Sequence, residues 1–137
     1  MRRYLLDTNI LSDAIRNPKG KAAKRISAKT PEAIFTSIVV AAEMRFGVEK
    51  KGSDELAARV EALLGHIRIA ALDRDADRHY GRIRAQLERE GKTIGANDLM
   101  IAAHALALDA VLVTGNVDEF KRVKGLKVEN WLAALTR

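Results

Sequence analysis

The chain has 137 residues, of which 47% are hydrophobic and 31% charged, the balance of one ordinary globular domain rather than a disordered chain. It has no cysteine, which excludes disulfides, a zinc–thiolate centre and a thiol nucleophile. Lys and Arg total 24 against 18 acids, a formal net charge of +6. No apolar run approaches the ~20 residues of a membrane helix, and the segment after Met1 is too short for a signal-peptide core. A single domain over residues 1–137, in a cytoplasmic protein, is therefore expected.

Along the chain, strand and helix signals alternate. Arg3 to Asp7 reads as a short buried strand, and Thr8 to Arg16 as a helix stopped by Asn17-Pro18-Lys19-Gly20. A basic helix follows to about Ala28, then the break at Thr30-Pro31, then a strand over Ala33 to Thr36. Ser37 suits an N-cap for a helix stopping at Gly47, although the β-branched Ile38-Val39-Val40 favours strand. Ser53 to Leu64 is an amphipathic helix ended by Gly65, and Ile67 to Ala70 a third strand. Ala76, Tyr80, Ile83 and Leu87 share one face of a long helix that ends near Gly91. Asn97 to Asp109 is helical and apolar on nearly every side, and Ala110 to Thr114 is an unbroken apolar strand of the kind parallel sheets use. A last strand is expected near Lys127 to Glu129. The alternation predicts an α/β three-layer sandwich with a mostly parallel central sheet, whose ligands gather at the carboxyl ends of the strands.

Three acids stand where acids are costly. Asp7 ends the apolar Tyr4-Leu5-Leu6, Glu43 interrupts Ile38-Val39-Val40-Ala41-Ala42, and Asp98 opens the apolar helix that continues Leu99-Met100-Ile101. A carboxylate flanked by core residues needs a cation or hydrogen bonds in compensation. Each also has a plain structural reading, as a cap or as half of an ion pair. Together they point to a hard divalent ion, Mg²⁺ or Mn²⁺, and to phosphodiester hydrolysis. Gathered without a cation they would repel one another, and at least one pKa would rise. Thr8, Asn9 and Thr114 are placed to hold the carboxylates or bound water. Two acid-free basic stretches, residues 16–29 and 121–127, suit a polyanion approached through its phosphates.

Other motifs fall away. Asp73-Arg74-Asp75-Ala76-Asp77 imitates a calcium loop but has Arg78 and Arg84 where glycine and glutamate are needed. His66, His79 and His104 lack ligand spacing and read as structural or surface residues. His104 lies on the far side of its helix from Asp98. A phosphatase with paired aspartates would want an acid at Asn9. From another class, a non-catalytic binding module that uses the acids as caps remains the alternative. Phe46, Leu56 and Val60 offer an apolar helix surface for a partner.

Leu5-Leu6-Asp7-Thr8-Asn9-Ile10-Leu11-Ser12 resembles the opening motif of PIN-domain ribonucleases. Glu43 with Gly47, Gly95 to Asp98 with Ile101-Ala102-Ala103-His104-Ala105, and Val113-Thr114-Gly115-Asn116 with Phe120 match the family's later motifs in order. The size and the ending Trp131-Leu132 resemble the VapC toxins of toxin–antitoxin pairs. The resemblance implies a Rossmann-like sheet, Mg²⁺-dependent endoribonuclease activity, a homodimer or higher toxin–antitoxin assembly, and inhibition by a small VapB-type antitoxin. It maps Asp7, Glu43 and Asp98 onto the family's metal-binding and catalytic acids. Asn116, Asp118 and Glu119 all stand near its fourth acidic position, with Asn116 carried as catalytic and Asp118 as a possible fourth acid. Ile83-Arg84 through Gly91 to Ile94-Gly95 is most similar to the enzymes that cut tRNA anticodon loops.

Overall fold

The computed structural model describes residues 2–132. Five short strands, β1 (Tyr4–Leu6), β2 (Ile34–Ser37), β3 (Arg68–Ala70), β4 (Val111–Val113) and β5 (Val128–Glu129), form one sheet in the order β3-β2-β1-β4-β5. Every pairing is parallel, with Tyr4 opposite Ile34 and Leu6 opposite Val113. β1, β2 and β4 are buried at every residue, as strands covered on both faces must be. The sheet is flanked by helices, which confirms the expected α/β architecture.

The helices are α1 (Thr8–Arg16), α2 (Lys21–Ala28), α3 (Ile38–Lys51), α4 (Asp54–His66), α5 (Ala76–Arg89), α6 (Ala96–Ala107) and α7 (Val117–Phe120). The β-branched run after Ser37 is helical. Ser37 Oγ accepts from Val39 N at 3.0 Å, and Val40, Ala41 and Met44 turn one face into the core. Packing outweighs the strand propensity of these residues. Two expected stops do not occur. α3 runs through Gly47 and ends at Gly52, whose φ of +67° forms the left-handed cap. α4 likewise runs through Gly65 to His66. Neither Gly47 nor Gly65 has positive φ, so nothing at them breaks the ladder. Two elements had not been expected: a 3-10 turn at Pro31–Ala33, and α7, anchored by the fully buried Phe120.

The buried apolar residues form one cluster around the sheet. Val60 belongs to it and Leu56 packs against it, so of the apolar surface expected at Phe46, Leu56 and Val60 only Phe46 is open, at 67% exposure. The strand order places the topological switch between β1 and β4. The chain builds outward from β1 through β2 and β3, then returns to β4 on the other side. Ligands of open parallel sheets lie outside the carboxyl ends of strands at such a switch, and here those ends lead into Asp7 and Thr114.

Candidate active site at the carboxyl edge of the sheet

Asp7 follows β1 and is 5% exposed. It caps α1 by accepting from Thr8 N at 2.8 Å, and it accepts from Thr114 Oγ1, just past β4, at 2.8 Å. Asn9 ties the two strand ends together. Its side-chain amide reaches Asp7 Oδ2 at 3.5 Å and Thr114 Oγ1 at 3.3 Å, while its Oδ1 accepts from Gly115 N at 2.8 Å. A Cβ on Gly115 would lie 2.8 Å from the Leu132 Cδ1 and 3.5 Å from Asn9 Oδ1, so a side chain there would have to displace the end of Leu132. Thr8 and Thr114 thus hydrogen-bond the carboxylates, and Asn9 bridges Asp7 and Thr114.

Glu43 stands in the second turn of α3 and accepts from Thr8 Oγ1 at 2.9 Å. Its other oxygen accepts from the Asn97 side chain at 3.3 Å. Asn97 opens α6 beside Asp98, and sequence reasoning had not singled it out. Asp98 occupies the first turn of α6, half buried, where the helix dipole favours an anion.

Of the three residues at the fourth position, Glu119 is the one brought to the cluster. It is half buried on α7, shares a hydrogen bond with Asp98, and accepts from Gly95 N at 3.2 Å and from the Asn116 side chain. Asn116 therefore reaches the cluster through Glu119, and its backbone N–H donates to Thr114 Oγ1 at 3.0 Å. Asp118 is exposed. The signal for Glu119 was the i, i+3 pair Val117 and Phe120, which marks one turn of helix anchored in the core.

The electrostatics match the repulsion expected of gathered carboxylates. Burial pushes the Asp7 carboxyl up; the bonds from Thr114 and Thr8 pull it down, and the charges of Glu43 and Glu119 push it up again. Asp98 is pushed up to about 7, by burial first, then by its hydrogen bond with Glu119 and the charges of Glu119, Asp7 and Glu43. Among the described residues no Lys or Arg makes an ion pair with any of the four acids. Nor, as the side chains stand, is any group of three acids or histidines arranged to hold an ion. As they stand, Glu43 is hydrogen-bonded to Thr8 and Asn97, and Glu119 to Gly95, Asn116 and Asp98. The donor set nonetheless fits a hard divalent cation, being all oxygen, strongly negative and half desolvated.

The three histidines stay out of the cluster. His104 is buried on the far face of α6, where Nδ1 lies 2.8 Å from Ser37 Oγ, and burial lowers its pKa. It therefore braces the α3 cap. The basic stretches are partly committed to structure. Arg25 donates to Asn130 O at 3.0 Å, Lys29 lies over the rings of Tyr4 and Trp131, and Arg122 donates to Thr93 O at 3.1 Å.

Comparison with known proteins finds relatives over nearly the whole chain. Residues 4–126 match the PIN domain family model. Ribonuclease VapC2 of Rickettsia felis is 38% identical over 93% of this chain and 97% of its own length. The tRNA(fMet)-specific endonuclease VapC of Shigella flexneri is 35% identical over 96% and 99%. The crystal structure of VapBC2 from Rickettsia felis bound to a promoter DNA fragment superposes with a TM-score of 0.86 at 36% identity, covering 93% of this chain and 98% of that one. The chain belongs to the PIN-domain family and, within it, to the VapC ribonucleases.

Proposed function

We propose that this chain is the toxin of a toxin–antitoxin pair, an Mg²⁺-dependent endoribonuclease restrained by a small VapB-type antitoxin. One observation carries the reading: four carboxylates delivered by four different elements to one sheet edge, with no basic side chain of the described residues paired to them. Relatives named as ribonucleases, and a solved complex named VapBC, support the activity and the partner. The relative named for tRNA(fMet) supports a tRNA substrate, cut in its anticodon loop. The whole chain acts as one nuclease domain in the cytoplasm, as a homodimer or in a larger assembly with its antitoxin. Among the described residues no helix is long and apolar enough to cross a membrane.

Asp7, Glu43 and Asp98 would hold the ion, and Glu119 takes the fourth acidic position. Mg²⁺, for which Mn²⁺ can substitute, supplies Lewis-acid activation of water and neutralises charge on the phosphate. The protein's own part is positioning. Asp7 is fixed by Thr8, Thr114 and Asn9, so its carboxylate cannot rotate away. Glu43, hydrogen-bonded to Thr8 and Asn97, would offer the same oxygens to the cation. Asp98, pushed up to about 7 by burial and by its hydrogen bond with Glu119, would hold the ion as its carboxylate, so the ion would favour loss of the Asp98 proton. An antitoxin Arg or Lys placed among the same acids would satisfy them in the cation's stead and block the edge.

The test is incubation of the purified chain, freed of its partner, with total cellular RNA in Mg²⁺ and in EDTA, beside Asp7→Asn. Discrete Mg²⁺-dependent fragments that the variant does not make are the expected result, and mapping their ends names the RNA. RNA left intact by a folded, Mg²⁺-supplied wild type would refute the nuclease and favour a binding module.

A further inference from the structure

Two grooves open on either side of Glu43. One, of 680 Å³, is lined by Ile38, Val39, Ala42 and Phe46 and reaches Thr8, Glu43 and Asn97. The other, of 340 Å³, runs between α1 and α3 from Thr8 and Glu43 toward Arg16 and Lys51. Helix geometry explains the split. At about 100° per residue, Phe46 stands about 60° to one side of Glu43, and Gly47 and Lys51 stand about 40° and 80° to the other. Glu43 is thus the ridge between an apolar, aromatic trough and a trough that ends in cations.

Both troughs are largely apolar along their walls, the second through Ile15, Met44, Val48, Leu56 and Val60, and they differ at their exposed ends. In the first, Phe46 is 67% exposed and Ile38 46%, two of the three large apolar side chains exposed among the described residues. In the second, the walls start at the Thr8–Glu43 hydrogen bond and descend two turns, or about 12 Å, to Arg16 and Lys51. Both cations are exposed, and neither is in an ion pair among the described residues. Gly47 lies on that wall. A glycine inside a helix costs about 1 kcal/mol relative to alanine, yet a Cβ at Gly47 would meet nothing within 4 Å. The packing of the chain therefore does not require glycine there, and a larger side chain would project into the groove.

We propose that single-stranded RNA lies across Glu43, with a nucleobase stacked on Phe46 in the apolar trough and neighbouring phosphates held by Arg16 and Lys51 in the other. The inference rests on the ribonuclease reading and gives it a substrate path. A strand cleaved at the acid cluster must leave it on both sides, and these are the two troughs continuous with Glu43. Unpaired bases are recognised by stacking on aromatic rings, and phosphates by unpaired cations. The acidic floor repels a phosphate, so cations flanking it set where the backbone rests.

The test measures fluorescence anisotropy of a labelled single-stranded RNA oligonucleotide on Asp98→Asn protein, which is not expected to cut it, with Mg²⁺ present and salt varied. In that background Phe46→Ala should weaken binding about tenfold or more, Phe46→Trp should restore it, and neither should change the salt dependence. Arg16→Gln with Lys51→Gln should weaken binding and reduce the slope of log affinity against log salt by about 0.7 for each lost phosphate contact. Gly47→Met should raise the melting temperature yet lower affinity, which a merely structural role for Gly47 would not produce. Unchanged binding by Phe46→Ala, or an unchanged salt slope in the double variant, would overturn the path. If Phe46→Ala instead abolished inhibition by the antitoxin while binding RNA normally, the apolar trough would be a protein-docking site. Wild-type cleavage alongside unresponsive binding would overturn the path alone. Responsive binding without wild-type cleavage would support the path and refute the nuclease.

Discussion

The two ends of β1 handle charge in opposite ways. At its start, cations are matched by soft partners: Arg3 donates to Leu108 O and lies 5.9 Å from the Phe35 ring centroid, and the Lys29 ammonium sits 4.8 Å from that of Tyr4, which itself packs on Trp131. At its end, four carboxylates converge with hydroxyls, amides, backbone N–H groups and, for Asp98 and Glu119, each other as partners. The first arrangement is complete within the chain and stabilises it. The second is left electrostatically costly, and Asp98, pushed up to about 7, records that cost. Stability and function thus occupy opposite ends of one strand, three residues long.

The largest expected effect is on activity at the costly end. Asp7→Asn should lower the cleavage rate about a thousandfold, or ~4 kcal/mol of barrier, with an unchanged far-ultraviolet dichroism spectrum. Cleavage within tenfold of wild type would mean that Asp7 only caps α1. At the other end, Trp131→Ala should leave any site chemistry in place but cost about 3–4 kcal/mol in urea denaturation, since a 2%-exposed indole is removed from the core. A loss below 1 kcal/mol would show the Tyr4–Lys29–Trp131 stack to be incidental.

A smaller effect concerns pH. Asp98 has a folded pKa of about 7, above its ordinary 3.8, so between these values the folded state binds more protons than the unfolded one. Without divalent ion, stability should therefore fall as pH rises from about 4 to 7 and level off above. Asp98→Asn should recover about 1–2 kcal/mol at pH 8, a figure reduced because the carboxyl is only half buried and solvent screens it. Added Mg²⁺ should flatten the wild-type profile. Urea midpoints across pH decide it, and a profile of Asp98→Asn parallel to wild type would remove Asp98 as the source. The smallest change is Lys29→Gln, expected to cost about 0.5–1 kcal/mol by loss of the contacts to Tyr4 and Trp131. An unchanged urea midpoint would show those contacts to be neutral.

Much of the site was legible because an acid inside an apolar run is conspicuous in one dimension. Asp7, Glu43 and Asp98 stand out without any knowledge of contacts, and the strand-end rule places Asp7 beside Thr114. Glu119 was harder. It sits beside another acid in a polar stretch, and only the burial of Phe120 turns it toward Asp98. Asn97 reads as an ordinary helix-opening residue until α6 is packed beside α3.

The sequence by itself determined the alternation of strands and helices, the parallel sheet and three of the four acids, because hydrophobic periodicity and misplaced charge are local properties. Tertiary structure alone decided the rest. Gly47 and Gly65 do not stop their helices, since a glycine ends a helix only where the chain must turn. Arg25 and Lys29 of the basic stretch serve structural contacts, while Arg16 remains open. The choice of Glu119 over Asp118 is also tertiary: two adjacent acids have the same chemistry, and only the packing of α7 against the sheet edge determines which one faces the other carboxylates.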